Sequence, residues 1–272
     1  MLFKSALLFL AATSSVLATP LVTFHNTRSS GKPGKQNEFN DLAQGNKRFR
    51  HEHKHLITEL SEGQHPEYLF FGCSDSRASE GTIFDAKPGT LFTERNIANT
   101  FKPSDVNAKS VIAYGVEHLH VKHIIVMGHY GCGGVAASTL PAPEEPWDEA
   151  TTAIQEWITP IRELYSSSTH PDIVALREAN AGVDDPPSPE LENPGFRALV
   201  EENVRSNVWN IAAESLIEDH WSNPSAQDLF IHGWVYDIAT GTVHDLGVSV
   251  GAPGKPIPPA PWSAVQNAAQ EL

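Results

Sequence analysis

The sequence predicts an α/β fold, a mostly parallel central sheet flanked by helices. Three observations carry that reading. The apolar runs Tyr68-Leu69-Phe70-Phe71 and Ile124-Ile125-Val126-Met127 are short and continuous, as in strands buried on both faces. Segments with helical apolar spacing alternate with them, which is the order of a parallel sheet crossed by helices. A chain of 272 residues is also long enough to bury a full core without cross-links.

The elements follow in order. A helix is expected from about Glu38, with Phe39, Leu42, Phe49, Leu56 and Leu60 on its intermittent apolar face and Gly63 ending it. The first strand is 68–72. The turn Lys87-Pro88-Gly89 leads to a second strand at Leu91–Arg95. Ser104 or Asp105 caps a helix over 104–120, with Val111, Ile112, Val116 and Leu119 inward. The third strand is 123–128, and Gly131, Gly133 and Gly134 permit a tight turn into a helix at about 132–139. A Pro/Glu loop fills 141–147, a helix 148–165, a Pro/Asp-rich surface loop 181–195 and a long helix 196–218. The last unit is a hairpin, Leu229–Ile238 and Thr242–Val250 around Thr240-Gly241. Alternation of strand and helix implies a sheet covered on both faces, with its site beyond the carboxyl ends of the strands. No internal repeat and no second domain are expected.

Charge and the N-terminus bound the function classes. The net charge is −14, with no basic stripe, so no nucleic acid is expected as partner. Lys4, the apolar stretch Ala6–Ala12 and Val16-Leu17-Ala18 read as a secretory signal over residues 1–18, followed by a flexible leader over 19–36 and one domain over 37–272. No later stretch is apolar for long enough to span a bilayer. The mature chain is therefore expected to be secreted or extracytoplasmic, with no membrane partner.

The chain has two cysteines, Cys73 and Cys132. Cys73 opens Cys73-Ser74-Asp75-Ser76-Arg77 directly after the first strand, and Cys132 closes His129-Tyr130-Gly131-Cys132 directly after the third. Two sulfurs and one imidazole nitrogen fill three places of a tetrahedral zinc and leave the fourth to water, the pattern of a catalytic site. In an oxidising compartment a disulfide competes with that reading. The neighbouring Asp75, Arg77 and His129 favour zinc.

Each residue type has a reason. Zinc binds thiolate, and a helix N-terminus after Cys132 would help to stabilise that charge. Zinc lowers the pKa of bound water from 15.7 to about 7, on the order of 12 kcal/mol in favour of hydroxide. Asp75 lies two residues from Cys73, and Arg77 is placed to clamp its carboxylate bidentately. A clamped aspartate stays ionised and orients the attacking oxygen. Two thiolates donate more charge than two imidazoles, so activity should rise into mildly alkaline pH.

These residues closely resemble the β-class carbonic anhydrases. The family's C-x-D-x-R stands as Cys73, Asp75 and Arg77, and its H-x-x-C as His129 and Cys132, followed by Gly133 and Gly134. Arg95-Asn96-Ile97-Ala98-Asn99, the segment around Tyr114 and Gly233-Trp234-Val235-Tyr236-Asp237 also match, over about residues 40–248. The resemblance implies four parallel strands with an antiparallel edge, one Zn2+ per chain, and a homodimer or dimer of dimers. It implies reversible hydration of carbon dioxide to bicarbonate and a proton, with Cys73, His129 and Cys132 on the metal and Asp75 and Arg77 catalytic. Gln64, Phe92 and Tyr114 match substrate-binding positions of the plant-type branch, and Gly133 joins them. That branch implies Asp75 off the metal at neutral pH.

Relatives with this fold hydrolyse carbon disulfide or carbonyl sulfide, which makes that the alternative activity. A silent metal-storage protein would have no need of the Asp75–Arg77 pair. A redox protein would join the two cysteines. His51, His53 and His55 read as a solvated helix face, and His118, His120 and His123 as surface positions. Trp157, Trp209 and Trp221 read as core or interface, and no H-E-x-x-H motif supports peptidase chemistry.

Overall fold

The computed structural model of the chain describes residues 38–265; the expected signal segment, the leader and residues 266–272 lie outside them. Residues up to Ile57 belong to one compact unit and those from Thr58 to another. In the first lies α1 (Asn40–Glu52), none of whose residues is buried. The single helix expected from Glu38 is two: His53 leaves helical geometry at φ −116°, ψ 33°, its ring against Phe49, before α2 (Lys54–Leu60) begins. Phe39 and Leu42, on the expected apolar face, are exposed.

The second unit is built on five strands, β1 (Tyr68–Cys73), β2 (Leu91–Asn96), β3 (His123–His129), β4 (Phe230–Asp237) and β5 (Thr242–Gly251). Their order is β2-β1-β3-β4-β5, the first four parallel and β5 antiparallel to β4. Between β1 and β2 lies the short α3 (Glu80–Ile83), and between β2 and β3 a one-turn 3-10 helix (Ile97–Asn99) and α4 (Val106–Glu117). The long β3–β4 connection carries α5 (Gly133–Ser138), α6 (Glu149–Ser167), α7 (Pro171–Asn180), α8 (Pro194–Ala212) and α9 (Ser215–Ser222).

Alternation along the strands sorts the core into two clusters. Leu69, Phe71, Ile124 and Val126 face α4 and α8 through Ile112, Val116, Leu199, Val204 and Val208. Phe70, Ile125, Met127 and Trp234 face the other way, against Phe84 of the α3 segment and Trp262. Among the described residues of this unit the helical cover is therefore unequal: long helices on one face, α3 and the segment around Trp262 on the other.

Helix starts carry visible caps. Asp105 accepts from Asn107 N at 3.0 Å, and Asn193 from Phe196 N at 3.0 Å ahead of Pro194. Three details differ from the sequence reading. The region between the expected helix 148–165 and the loop holds α7, which starts on Pro171 and buries Ile173 and Leu176. The long helix 196–218 is divided after Ala212, with Glu214 starting α9. His123 is half-buried rather than fully exposed: it stacks on Tyr68 and Phe230, and its Nδ1 lies 3.0 Å from Nε2 of buried His232.

β2 lies on one side of β1 and β3 on the other. The connections leaving β1 and β3 thus depart in opposite directions along the sheet, which opens a crevice at the carboxyl ends of these two strands.

Candidate metal centre

β1 ends on Cys73 and β3 on His129, so neighbouring strands deliver both to the same crevice. After His129 the chain turns through Gly131, whose φ of +73° is readily adopted without a Cβ, and brings Cys132 to the start of α5. The result is a buried group in which the ligand atoms of Cys73, His129 and Cys132 all lie within 4.8 Å of one another. The sulfurs are 3.9 Å apart and unbonded. Zn–S bonds of 2.3 Å at a tetrahedral angle require about 3.8 Å between sulfurs.

The imidazole is oriented for a ligand. His129 Nδ1 lies 3.0 Å from the carbonyl oxygen of Tyr130, which only accepts, so Nδ1 carries the proton. Nε2 is left with a lone pair, and it is buried without a hydrogen-bond partner. A buried orphan nitrogen beside two buried sulfurs fits a thiophilic, imidazole-binding divalent cation, and zinc is the metal for that donor set. The partner of Nδ1 is a neighbouring backbone oxygen, which no motif in the sequence identifies.

Electrostatics agree. Cys73 is pulled far below the ordinary thiol range, first by its hydrogen bond with Cys132 and then by His129, against the opposing effect of burial. Cys132 is pushed up by the same contact and by burial, while the N–H groups of Gly134 and Val135 at the start of α5 pull it down. A divalent cation between the sulfurs would hold both as thiolates.

Asp75 stands at the open side. Arg77 clamps it bidentately, Nε to Oδ1 at 3.0 Å and Nη2 to Oδ2 at 2.7 Å, and Arg77 N donates to Oδ1 at 2.9 Å. The guanidinium holds the Asp75 carboxyl at about 2. Asp75 Oδ2 lies 3.7 Å from His129 Nε2, and Arg77 Nη2 also donates to Gly131 O at 3.1 Å, tying the two ligand-bearing turns together.

Two supports were not read from the sequence. Arg95 Nε donates to Cys73 O at 2.8 Å and Nη2 to Asp75 O at 2.6 Å, so one side chain on β2 holds the Cys73–Asp75 turn. Tyr130 is buried beneath the other turn, its OH donating to Glu201 at 2.8 Å and its ring covered by Arg197 at 3.5 Å. Of the other expected site residues, only Gly133 adjoins this group. Gly133 follows Cys132 at the first turn of α5, with open space beside its Cα. Gln64 is in an exposed loop. Phe92 and Tyr114 form a ring pair at 5.8 Å, but Phe92 is level with Leu69, four residues before Cys73, or about 13 Å along the strand.

Residues 68–243 match the family profile described as carbonic anhydrase. The chain belongs to the carbonic anhydrase family. A carbonic anhydrase of Emericella nidulans is 34% identical over 193 residues, 71% of this chain and 75% of that protein. Among solved structures, a tetrameric β-carbonic anhydrase of Sordaria macrospora superposes with a TM-score of 0.63 at 29% identity, covering 79% of this chain and all of that one. The Coccomyxa β-carbonic anhydrase in complex with acetazolamide gives 0.65 at 28% identity, over 79% of this chain and 89% of its own. The α/β fold, with four parallel strands and an antiparallel edge, is that of the β-class enzymes, and the Cys73–His129–Cys132 group stands at its carboxyl edge.

Proposed function

We propose that this β-class carbonic anhydrase catalyses the reversible hydration of carbon dioxide to bicarbonate and a proton at a zinc ion held by Cys73, His129 and Cys132. The observation that carries the reading is the meeting of two sulfurs with an unpartnered imidazole nitrogen beside a clamped carboxylate. Zinc, when bound, supplies a positive charge that makes coordinated water acidic near neutral pH.

The chain's own groups do the rest. Asp75 accepts a hydrogen bond from the attacking water at Oδ2 and fixes the direction of its lone pair. Arg77 keeps Asp75 ionised and turned toward the crevice by holding both carboxylate oxygens. The Tyr130 carbonyl holds the His129 ring in the tautomer that presents Nε2. Arg95 fixes the backbone on either side of Ser74, so Cys73 and Asp75 keep their spacing. Asp75 is bound to Arg77 rather than pointing freely at the ligand group, which supports an open site of the plant-type branch.

Gln64, Phe92 and Tyr114 complete the substrate pocket in this reading. Phe92 and Tyr114 are displaced along β2 from their own chain's metal centre, and Tyr114 is 47% exposed. That placement suits a homodimer, or a dimer of dimers, in which the pair serves the centre of another copy. The signal-like residues 1–18 support export of the mature chain, which would act outside the cytoplasm.

Metal analysis joined to a stopped-flow hydration assay on the purified mature chain tests the reading, with carbon disulfide and carbonyl sulfide run beside carbon dioxide. One zinc per chain and turnover of carbon dioxide are expected. A metal-free active protein, or Cys73 joined to Cys132 in the active form, overturns it.

A further inference from the structure

The turn between β2 and α4 has a backbone that Ala98 does not favour and that Asn99 tolerates. Ala98 and Asn99 are consecutive, both carry a Cβ, and both sit in the left-handed region at φ +60° and +45°. Both are buried. Such a conformation persists only where surrounding structure over-determines it.

The bonds that hold it come from side chains. Asn203 Nδ2 donates to Ala98 O at 2.9 Å, and Phe101 N donates to Asn207 Oδ1 at 2.8 Å. Asn207 Nδ2 in turn donates to Asn203 O at 2.7 Å and Oδ1 at 3.1 Å, so the two amides are linked one helical turn apart on α8. Asn96 Oδ1 accepts from Thr100 N at 2.8 Å, and Trp157 Nε1 donates to Ile97 O at 2.9 Å. Asn203 and Asn207 are buried in the same helix as Leu199, Val200, Val204, Val208 and Ile211. Two amides in that apolar setting are costly unless their polar groups are used, and here the turn takes Asn203 Nδ2 and Asn207 Oδ1 while the link between the two asparagines takes the rest.

The turn borders all three metal-ligand candidates. Asn96, just before it, pairs with Cys73 in the sheet, and its carbonyl accepts from Ser74 N at 2.8 Å. Asn99 Oδ1 lies 3.3 Å from where a Cβ on Gly128 would stand, next to His129. A Cβ on Gly134, two residues past Cys132, would stand 2.7 Å from Ile97 Cγ2 and 3.1 Å from Ala98 Cβ. The turn is thus a wedge packed among the ends of β1 and β3 and the start of α5.

We infer that Asn203 and Asn207 are positioning residues for the metal centre: they hold the Ile97–Asn99 turn in its unfavourable backbone, and the turn sets the spacing of Cys73, His129 and Cys132. This rests on the metal-site reading above. Neither asparagine touches a ligand atom, so the action is through the turn.

The test uses Asn203→Leu and Asn207→Leu, similar in volume and without the amide, in the zinc and cobalt forms of the full chain. Trp157→Phe is the milder companion, since it removes one turn bond from outside the core. Three quantities are read: zinc release to a chelator, the thiolate-to-cobalt absorption band, and kcat with KM. Zinc release at least about 10-fold faster, a shifted band, and a kcat loss with KM little changed are expected, the effect being smaller in Trp157→Phe. Adding Ala98→Gly to Asn203→Leu should restore part of the band and of kcat, because glycine adopts φ +60° freely. A drop in unfolding midpoint with the band, release rate and kcat of the folded protein unchanged overturns the inference. So does an unaltered Trp157→Phe where both leucine variants fail to fold. A wild-type chain that takes up no metal sinks the metal-site reading itself, a result distinct from either.

Discussion

Arg77 grips Asp75 with both arms of its guanidinium, at 3.0 and 2.7 Å, and spends its remaining reach on Gly131 O at 3.1 Å. One side chain therefore aims the carboxylate and joins the Cys73 turn to the His129–Cys132 turn. Replacing Asp75 by Asn keeps the shape and removes the charge. Zinc content should stay at the wild-type level while hydration slows about 100-fold or more, as expected for a lost proton-accepting group. Unchanged turnover in a stopped-flow assay would remove Asp75 from the mechanism.

Arg95 is the second guanidinium to test. Its bonds to Cys73 O and Asp75 O have no substitute among shorter side chains. Arg95→Leu should weaken zinc binding by about 10- to 100-fold, the usual effect of removing a support behind a ligand. Competition with a colorimetric chelator measures it, and equal affinity would make Arg95 a structural residue only.

Removing the metal should be reversible. Chelation should abolish hydration, and adding zinc to the reduced apoprotein should restore it. In Cys73→Ser the hard hydroxyl replaces a thiolate, so zinc should be absent after dialysis. Full activity of that variant would refute the ligand set.

The rate should climb from neutral into mildly alkaline pH. Asp75, held at about 2, is ionised throughout that range and does not supply the limb. The limb belongs to the water that becomes the nucleophile, made less acidic by two thiolate donors than by neutral ones. A kcat profile flat from about pH 6 to 9 would contradict this assignment.

His232 gives the stability curve an acid slope. Burial, followed by the nearby His123, lowers its pKa from 6.5 to about 4. Between those values the unfolded chain takes up a proton that the folded chain refuses, so stability falls as pH drops from 6.5 toward 4. The full effect is on the order of 3 kcal/mol. His232→Gln should flatten that part of the curve in urea titrations at several pH values; an identical slope would assign it to other groups.

The strands and the Cys73–His129–Cys132 group were legible in the sequence for the same reason: each is encoded by adjacent residues. Tyr68–Phe71 and Ile124–Met127 are apolar without interruption because β1 and β3 are buried on both faces, and each runs directly into a member of that group, Cys73 or His129. Arg95 was visible only as part of a matching segment, because what it bonds is backbone oxygen, which every residue has. The His123–His232 pair joins residues 109 apart, a distance no local pattern spans. The start of α7 was there to be found in Pro171 and Asp172, the usual opening of a helix, but its apolar face is only Ile173 and Leu176. The break before α9 follows no proline or glycine, so composition could not locate it.

The ligand-bearing strands β1 and β3 are neighbours in the interior of the sheet, each laddered on both sides. Fraying of the outer strand β2 or β5 leaves their pairing whole. Amide exchange in Leu69–Gly72 and Ile124–Gly128 should therefore be among the slowest in the domain, and adding zinc to the reduced apoprotein should slow it further.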